Sequence, residues 1–217
     1  MDYAQFQQRI RETVNDIFPL DRMVPLATVY SIFATEYAKE NDKSVFFQDR
    51  KFQRLREGYF AMFVALSLNE ISGFENYLIF PSDPSNDIYI CNFETGGNVS
   101  PFDVKEYTQH SASFSEFVEK SVSPKIDIYN IIIGLHAKNI GEDELKYLID
   151  ALKNTDARVW LVSNIDEENG DEKASKVTVV NKSGIVYQQD IRMDDLGPVS
   201  EPPIVYQDII KFKSAQV

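Results

Sequence analysis

One cysteine, Cys91, in 217 residues leaves no internal disulfide to staple the fold, and such a chain suits a reducing compartment. No apolar run approaches the ~20 residues that a membrane-spanning helix needs. The opening residues, MDYAQFQQRIRETV, are amphipathic and lack the apolar stretch and small-residue cleavage site of a secretion signal. The expectation is a cytoplasmic protein with no membrane engagement. Glycine is sparse, and neither standard glycine-rich phosphate loop is present, which counts against a nucleotide-binding domain. The Gly96-Gly97 pair reads as a hairpin turn, because no helix start follows it. Basic charge is scarce too: 22 Lys and Arg against 34 Asp and Glu give a net charge of −12. That balance argues against a general nucleic-acid binder, whose phosphate contacts come from Lys and Arg. Placement qualifies the argument, since acids crowd into Asp166–Glu172 and around Asp194, Asp195 and Glu201. Basic residues gather at Arg50, Lys51, Arg54 and Arg56.

What is present points to a packed interior. The chain is 43% apolar, with fifteen Phe and eleven Tyr, and its length suits one sizeable core. Tyr3, Phe6, Ile10, Val14 and Ile17 recur at helical spacing, and Leu26, Val29, Ile32, Phe33 and Tyr37 repeat the pattern over about residues 24–40. These two helices form an N-terminal cap, residues 1–48, and make a homodimer an expectation. A third helix starts at Asp49 as N-cap and runs to about Ile71, where Gly73 stops it.

The period then changes to that of strands. Tyr77–Phe80, Asp87–Phe93 and Phe102–Thr108 are short β-type runs separated by turn-rich segments. A short helix follows at about 113–121, then an apolar strand Ile128–Leu135, a helix over about 142–154, and an apolar strand Arg158–Ser163. Strands buried on both faces read as unbroken apolar runs, and intervening helices imply parallel crossovers. The fold class is therefore α/β, a mixed central sheet flanked by helices, spanning residues 49–165. Residues 166–217 form a C-terminal extension packed on it: Lys176–Asn181 and Gly184–Ile191 make a hairpin, and Ile204–Ile210 is a last strand or short helix.

Three positions suggest chemistry. Asp103 and Lys105 are two apart in a strand and share a face, while Phe102 and Val104 face the core. Asp87 opens the preceding strand, with Asp83 as a rival for the same role. Glu70 falls at the same helical angle as Phe52 and within about 40° of Leu66, which puts a carboxylate on an apolar stripe. A buried carboxylate costs several kcal/mol, on the order of 3–5 when unpaired, so Glu70 needs a partner. A divalent cation shared with Asp87 and Asp103 supplies one. Phosphodiester hydrolysis needs an activated water and charge relief on the phosphate, and hard oxygen ligands on Mg2+ or Mn2+ provide both. A lysine beside them can orient the water.

Helix-Glu, strand-Asp, then Asp-x-Lys on the next strand, followed by α-β-α-β, resembles the PD-(D/E)XK restriction-endonuclease-like nuclease superfamily. The likeness covers about Asp49 to Ser163, roughly half the chain. It implies that Asp87, Asp103 and Glu70 bind the metal and that Lys105 assists the nucleophilic water. It also implies a nucleic-acid substrate, with DNA favoured over RNA.

Plainer alternatives stand beside these readings. Asp103 and Lys105 can form an exposed cross-strand ion pair worth little, and Glu70 can lie exposed near the Ser72-Gly73 turn. Arg50–Arg56 reads as a solvated helical face, Cys91 as a packed residue, and His136 as a satisfied structural histidine. The alternative function is a catalytically inactive module on the same scaffold, binding or inhibiting a protein partner through its acidic surface.

Overall fold

A computed structural model of the chain describes residues 23–81, 87–92, 98–108, 113–126, 130–136, 140–165, 174–192 and 196. The expected first helix, Asp83, the acidic segment 166–172 and the 204–210 run lie outside the described residues. The chain is a mixed α/β protein, and it divides into two compact units, residues 1–101 with 196–217 and residues 102–195. The cut falls inside the 49–165 segment.

In the first unit a two-residue strand β1 (Met23–Val24) leads into helix α1 (Leu26–Lys39). Pro25 sits at the N-cap, where its missing N–H costs nothing, and its carbonyl accepts from the Thr28 and Val29 amides. A short helix α2 (Lys43–Gln48), carrying Phe46 and Phe47, follows. Asp49 then caps a 3-10 turn (Arg50–Phe52), its carboxylate accepting from the Lys51 amide at 2.8 Å. The chain continues into the long helix α3 (Gln53–Ser72).

Helix α3 is the core of this unit, since residues 54 to 65 are buried on every side. Phe33 of α1 stacks on Tyr59 at 3.8 Å, and Phe46 stacks on Phe52 at 4.6 Å. Gly58 marks the closest approach: a Cβ there would lie 2.7 Å from Phe80 Cζ and 3.4 Å from Val29 Cγ1. Gly73 ends α3 in the left-handed region, φ 74°, with its amide donating to the Asn69 carbonyl. Strands β2 (Asn76–Ile79) and β3 (Ile88–Asn92) pair antiparallel, with β1 on the far side of β2.

Strand β4 (Asn98–Tyr107) carries the chain into the second unit. Helix α4 (Phe114–Phe117) widens into a π turn (Val118–Val122) and tightens into a 3-10 turn (Ser123–Lys125). Strand β5 (Asn130–Leu135), helix α5 (Glu142–Leu152) and strand β6 (Val159–Ile165) follow. The hairpin of β7 (Ala174–Asn181) and β8 (Gly184–Arg192) closes the unit. Strands β4, β5 and β6 run parallel, as the apolar runs and intervening helices require, and β6, β7 and β8 run antiparallel. Tyr107, Ile131, Ile133, Leu135, Val159 and Leu161 project from one sheet face into a core with Phe114, Phe117, Leu148 and Leu152 of the two helices. Glu144 caps α5 by accepting from the Gly141 amide at 2.9 Å.

Candidate functional site

Alternation along β4 puts Asp103, Lys105 and Tyr107 on one face, opposite Ile131, Ile133 and Leu135 of β5. That face lies under the helices. Tyr107 packs edge-on against Phe114, ring centroids 5.2 Å apart. Asp103 comes earlier in the strand and is buried. Its Oδ2 lies 2.6 Å from Lys105 Nζ, and its Oδ1 accepts from Lys125 Nζ at 2.7 Å. The 3-10 turn after α4 delivers Lys125 to this point, with Ile126 buried behind it.

The triad therefore sets two ammonium groups on one carboxylate. The Asp103 side chain is 5% exposed, Lys105 is 21% exposed and Lys125 41% exposed, so the charges grade from core to solvent. Burial alone raises the Asp103 pKa, but the two ammonium groups together outweigh it and hold the carboxyl below its ordinary 3.8. Asp103 is ionised at neutral pH. The exposed-ion-pair alternative does not describe this residue, because the β4 partner on this side is a parallel strand covered by helices.

The opposite face of β4 carries Glu106. Its Oε2 lies 2.7 Å from Nε2 of His136, the residue after β5, whose amide donates to the Tyr107 carbonyl at 3.0 Å. His136 is the satisfied histidine that the sequence suggests, held by a carboxylate on the face of β4 opposite Asp103.

Asp87 and Glu70 belong to the first unit. Asp87 is half-buried, immediately before β3. Glu70 corrects an expectation, for its side chain is exposed although α3 stays helical to Ser72. Asn69 is the residue that turns inward here, its Oδ1 accepting from the Asn76 amide at 2.7 Å and the Asn76 side chain at 2.8 Å. The next residue is rotated by about 100°, which takes Glu70 away from β2. Helix α3 has no single apolar stripe for Glu70 to share, because it is enclosed all round in its first half and exposed over residues 70–72.

The acid that α3 does bury is Glu57, 1% exposed, with Oε1 accepting from the Gln53 amide group at 2.8 Å. Arg54 and Arg56 are buried as well, which corrects the solvated-face reading. Arg54 donates to the Pro81 carbonyl and lies over the Phe80 ring, 5.5 Å from its centroid. Arg56 donates to the Phe46 and Asp49 carbonyls. These two guanidinium groups tie Pro81 and the 46–49 segment to α3, and Arg50 and Lys51 remain exposed. A run of charges at helical spacing gives no sign of this in sequence, because ordinary helices bury one stripe only. Cys91 is packed and inert, its thiol pushed up to about 12 by burial.

The likeness to PD-(D/E)XK nucleases implies Mg2+ or Mn2+. Among the described residues, no group of three or more His, Cys, Asp and Glu side chains lies close enough to share one ion. Asp103 is buried and ionised, but both its oxygens already face ammonium groups, Lys105 at 2.6 Å and Lys125 at 2.7 Å, so an ion bound there has to compete with them. Mg2+ needs only one or two protein carboxylates and keeps waters elsewhere. Among the described residues no helix is long and apolar enough to cross a membrane. Comparison with protein-family models gives no match, and comparison with curated protein sequences gives none either.

Proposed function

We propose that the chain is a cytoplasmic, metal-dependent nuclease of the PD-(D/E)XK type, hydrolysing phosphodiester bonds in nucleic acid, DNA before RNA. One observation carries this reading: the Asp103–Lys105 pair, a buried ionised carboxylate 2.6 Å from an ammonium on the same strand face. The order α3-β2-β3-β4-α4-β5, with a parallel crossover after β4, supports a restriction-endonuclease-like core. Asp103 would hold the ion, Mg2+ or Mn2+.

In the reaction Lys105 donates a hydrogen bond to the attacking water and keeps it beside Asp103. The strand fixes its backbone, and the ion pair with Asp103 at 2.6 Å holds the ammonium in place. The ion, when bound, lowers the pKa of water and offsets charge on the scissile phosphate. Purified protein is to be tested for Mn2+-dependent cleavage of linear DNA. Asp103→Ala and Lys105→Ala should each abolish it, and unchanged cleavage by either variant refutes the assignment.

A second reading draws on the same triad. Two lysines already neutralise Asp103, which suits a catalytically inactive scaffold whose acidic surface, net −12, binds a protein partner. Thermal melting with millimolar Mn2+ separates the two, since an ion bound to the folded state alone raises the midpoint. No shift favours the partner-binding module.

A further inference from the structure

Among the described residues, the helices of the second unit cover β4, β5 and β6 and leave much of the hairpin open on the same face. Thr178 of β7 is half-buried there, and Ile185 and Gln188 of β8 are exposed. A cavity of about 200 Å³ opens at this step, lined by Leu145 of α5 and by Leu135, Leu161 and Ile185 of the strands. We propose that it is a binding site for a small apolar molecule bearing one carboxylate, an aromatic or branched short-chain acid, whose charged group is held by Lys176. The inference does not rest on the nuclease reading. Asp103 stands beside Ile131 at the start of β5, and the cavity lies at Leu135, at the end of that strand.

Strand register assembles the polar end of the site. Ser163 lies opposite Lys176, and Thr178 lies between Leu161 and Gln188. All four polar side chains line the cavity. Ser163 is 8% exposed, and its hydroxyl has no hydrogen-bond partner among the described residues, so it is a donor that no protein group engages. Lys176 is half-buried and forms no ion pair among the described residues, in a chain where acids outnumber bases 34 to 22. Asp190 faces it in register on β8, but no ion pair joins the two, and Asp190 is exposed and outside the lining. An unpaired ammonium beside an apolar wall selects an anion, and one carboxylate can accept from both Lys176 and Ser163. A phosphate fits less well, because its remaining oxygens would face leucines. Size sets the rest: an apolar cavity of about 150 Å³ takes a benzene ring, so about 200 Å³ leaves room for one carboxylate more. Ile185, 48% exposed, is apolar surface that such a ligand takes out of water. The position also agrees, since open α/β sheets place ligand crevices at the carboxyl ends of parallel strands, here β5 and β6.

Amide chemical shifts of the isotope-labelled full chain, titrated with benzoate at neutral pH, test this. Benzoate should bind with a Kd of about 1 mM, reasonable for a ligand of its size, with the largest shifts at Leu135, Ser163, Lys176 and Gln188. Benzamide, the same shape without the charge, should bind roughly tenfold more weakly. Lys176→Met should weaken benzoate roughly tenfold and leave benzamide unchanged, and Lys176→Arg, which keeps the cation, should retain benzoate binding. Lys176→Gln takes the place of Lys176→Met should that variant fail to fold by circular dichroism. No shift at about 10 mM benzoate, shifts centred away from the cavity, or undiminished benzoate binding by the charge-removing variant overturns the proposal. Benzamide binding as tightly as benzoate also overturns it, by making the cavity a plain apolar cleft. None of these outcomes bears on the nuclease reading.

Discussion

Replacing Asp103 with Asn keeps the shape of the side chain and removes the charge that two lysines share. Breaking a fully buried ion pair by removing one partner costs about 3–5 kcal/mol. Here the orphaned partners are 21% and 41% exposed, so water recovers part of the loss. Lys125 can swing outward, and the amide oxygen of Asn can still accept one hydrogen bond. The expected destabilisation is therefore about 2 kcal/mol. With a urea slope of about 2 kcal/mol/M the midpoint falls by about 1 M. Trp160 is the only tryptophan, and it is buried in β6 of the same unit, so its fluorescence reports this transition. The effect also has a pH signature. The folded pKa of Asp103 is depressed, so its contribution is complete above the unfolded value, about 3.9, and is lost as pH falls through the lower folded value. The gap between the two proteins should be full at pH 7 and shrink below about pH 4. A variant as stable as the unmodified chain at pH 7, or a gap that widens in acid, would falsify the triad as a net stabilising feature.

Gly58→Ala should lower the melting midpoint, because the new methyl meets Phe80 Cζ at 2.7 Å and Arg54 holds that ring from above. Overpacking of this kind costs about 1–3 kcal/mol, of which helix propensity returns about 1, and an unchanged or raised midpoint counts against the close helix approach. Cys91, with its thiol near 12, should resist iodoacetamide at pH 8 in the native protein and react readily in urea, as followed by mass spectrometry. Rapid native labelling contradicts its burial.

Much of the secondary structure was legible because local rules suffice for it. Asp49 caps the 3-10 turn that leads into α3 rather than α3 itself, Gly73 is the left-handed stop expected of it, and the turn at residues 181–184 joins the strands expected of it. Unbroken apolar runs at 131–135 and 159–163 identify the parallel strands, since only a strand covered on both faces reads that way. Of the candidate site, only the Asp103–Lys105 pairing was legible, because residues two apart on a strand must share a face. The exposure of Glu70 depends on where the packing around α3 ends, which spacing does not encode.

The sequence by itself determined the α/β class, the parallel crossovers and the shared face of Asp103 and Lys105. All of these follow from the period of the backbone and the placement of apolar side chains over short windows. The tertiary structure alone decided that α3 is enclosed on all sides, with Arg54, Arg56 and Glu57 inside it. It alone brought Lys125 to Asp103 across 22 positions, and His136 to Glu106 across 30. Contacts at that separation depend on where a turn sets the chain down against a sheet, and no local periodicity carries that information.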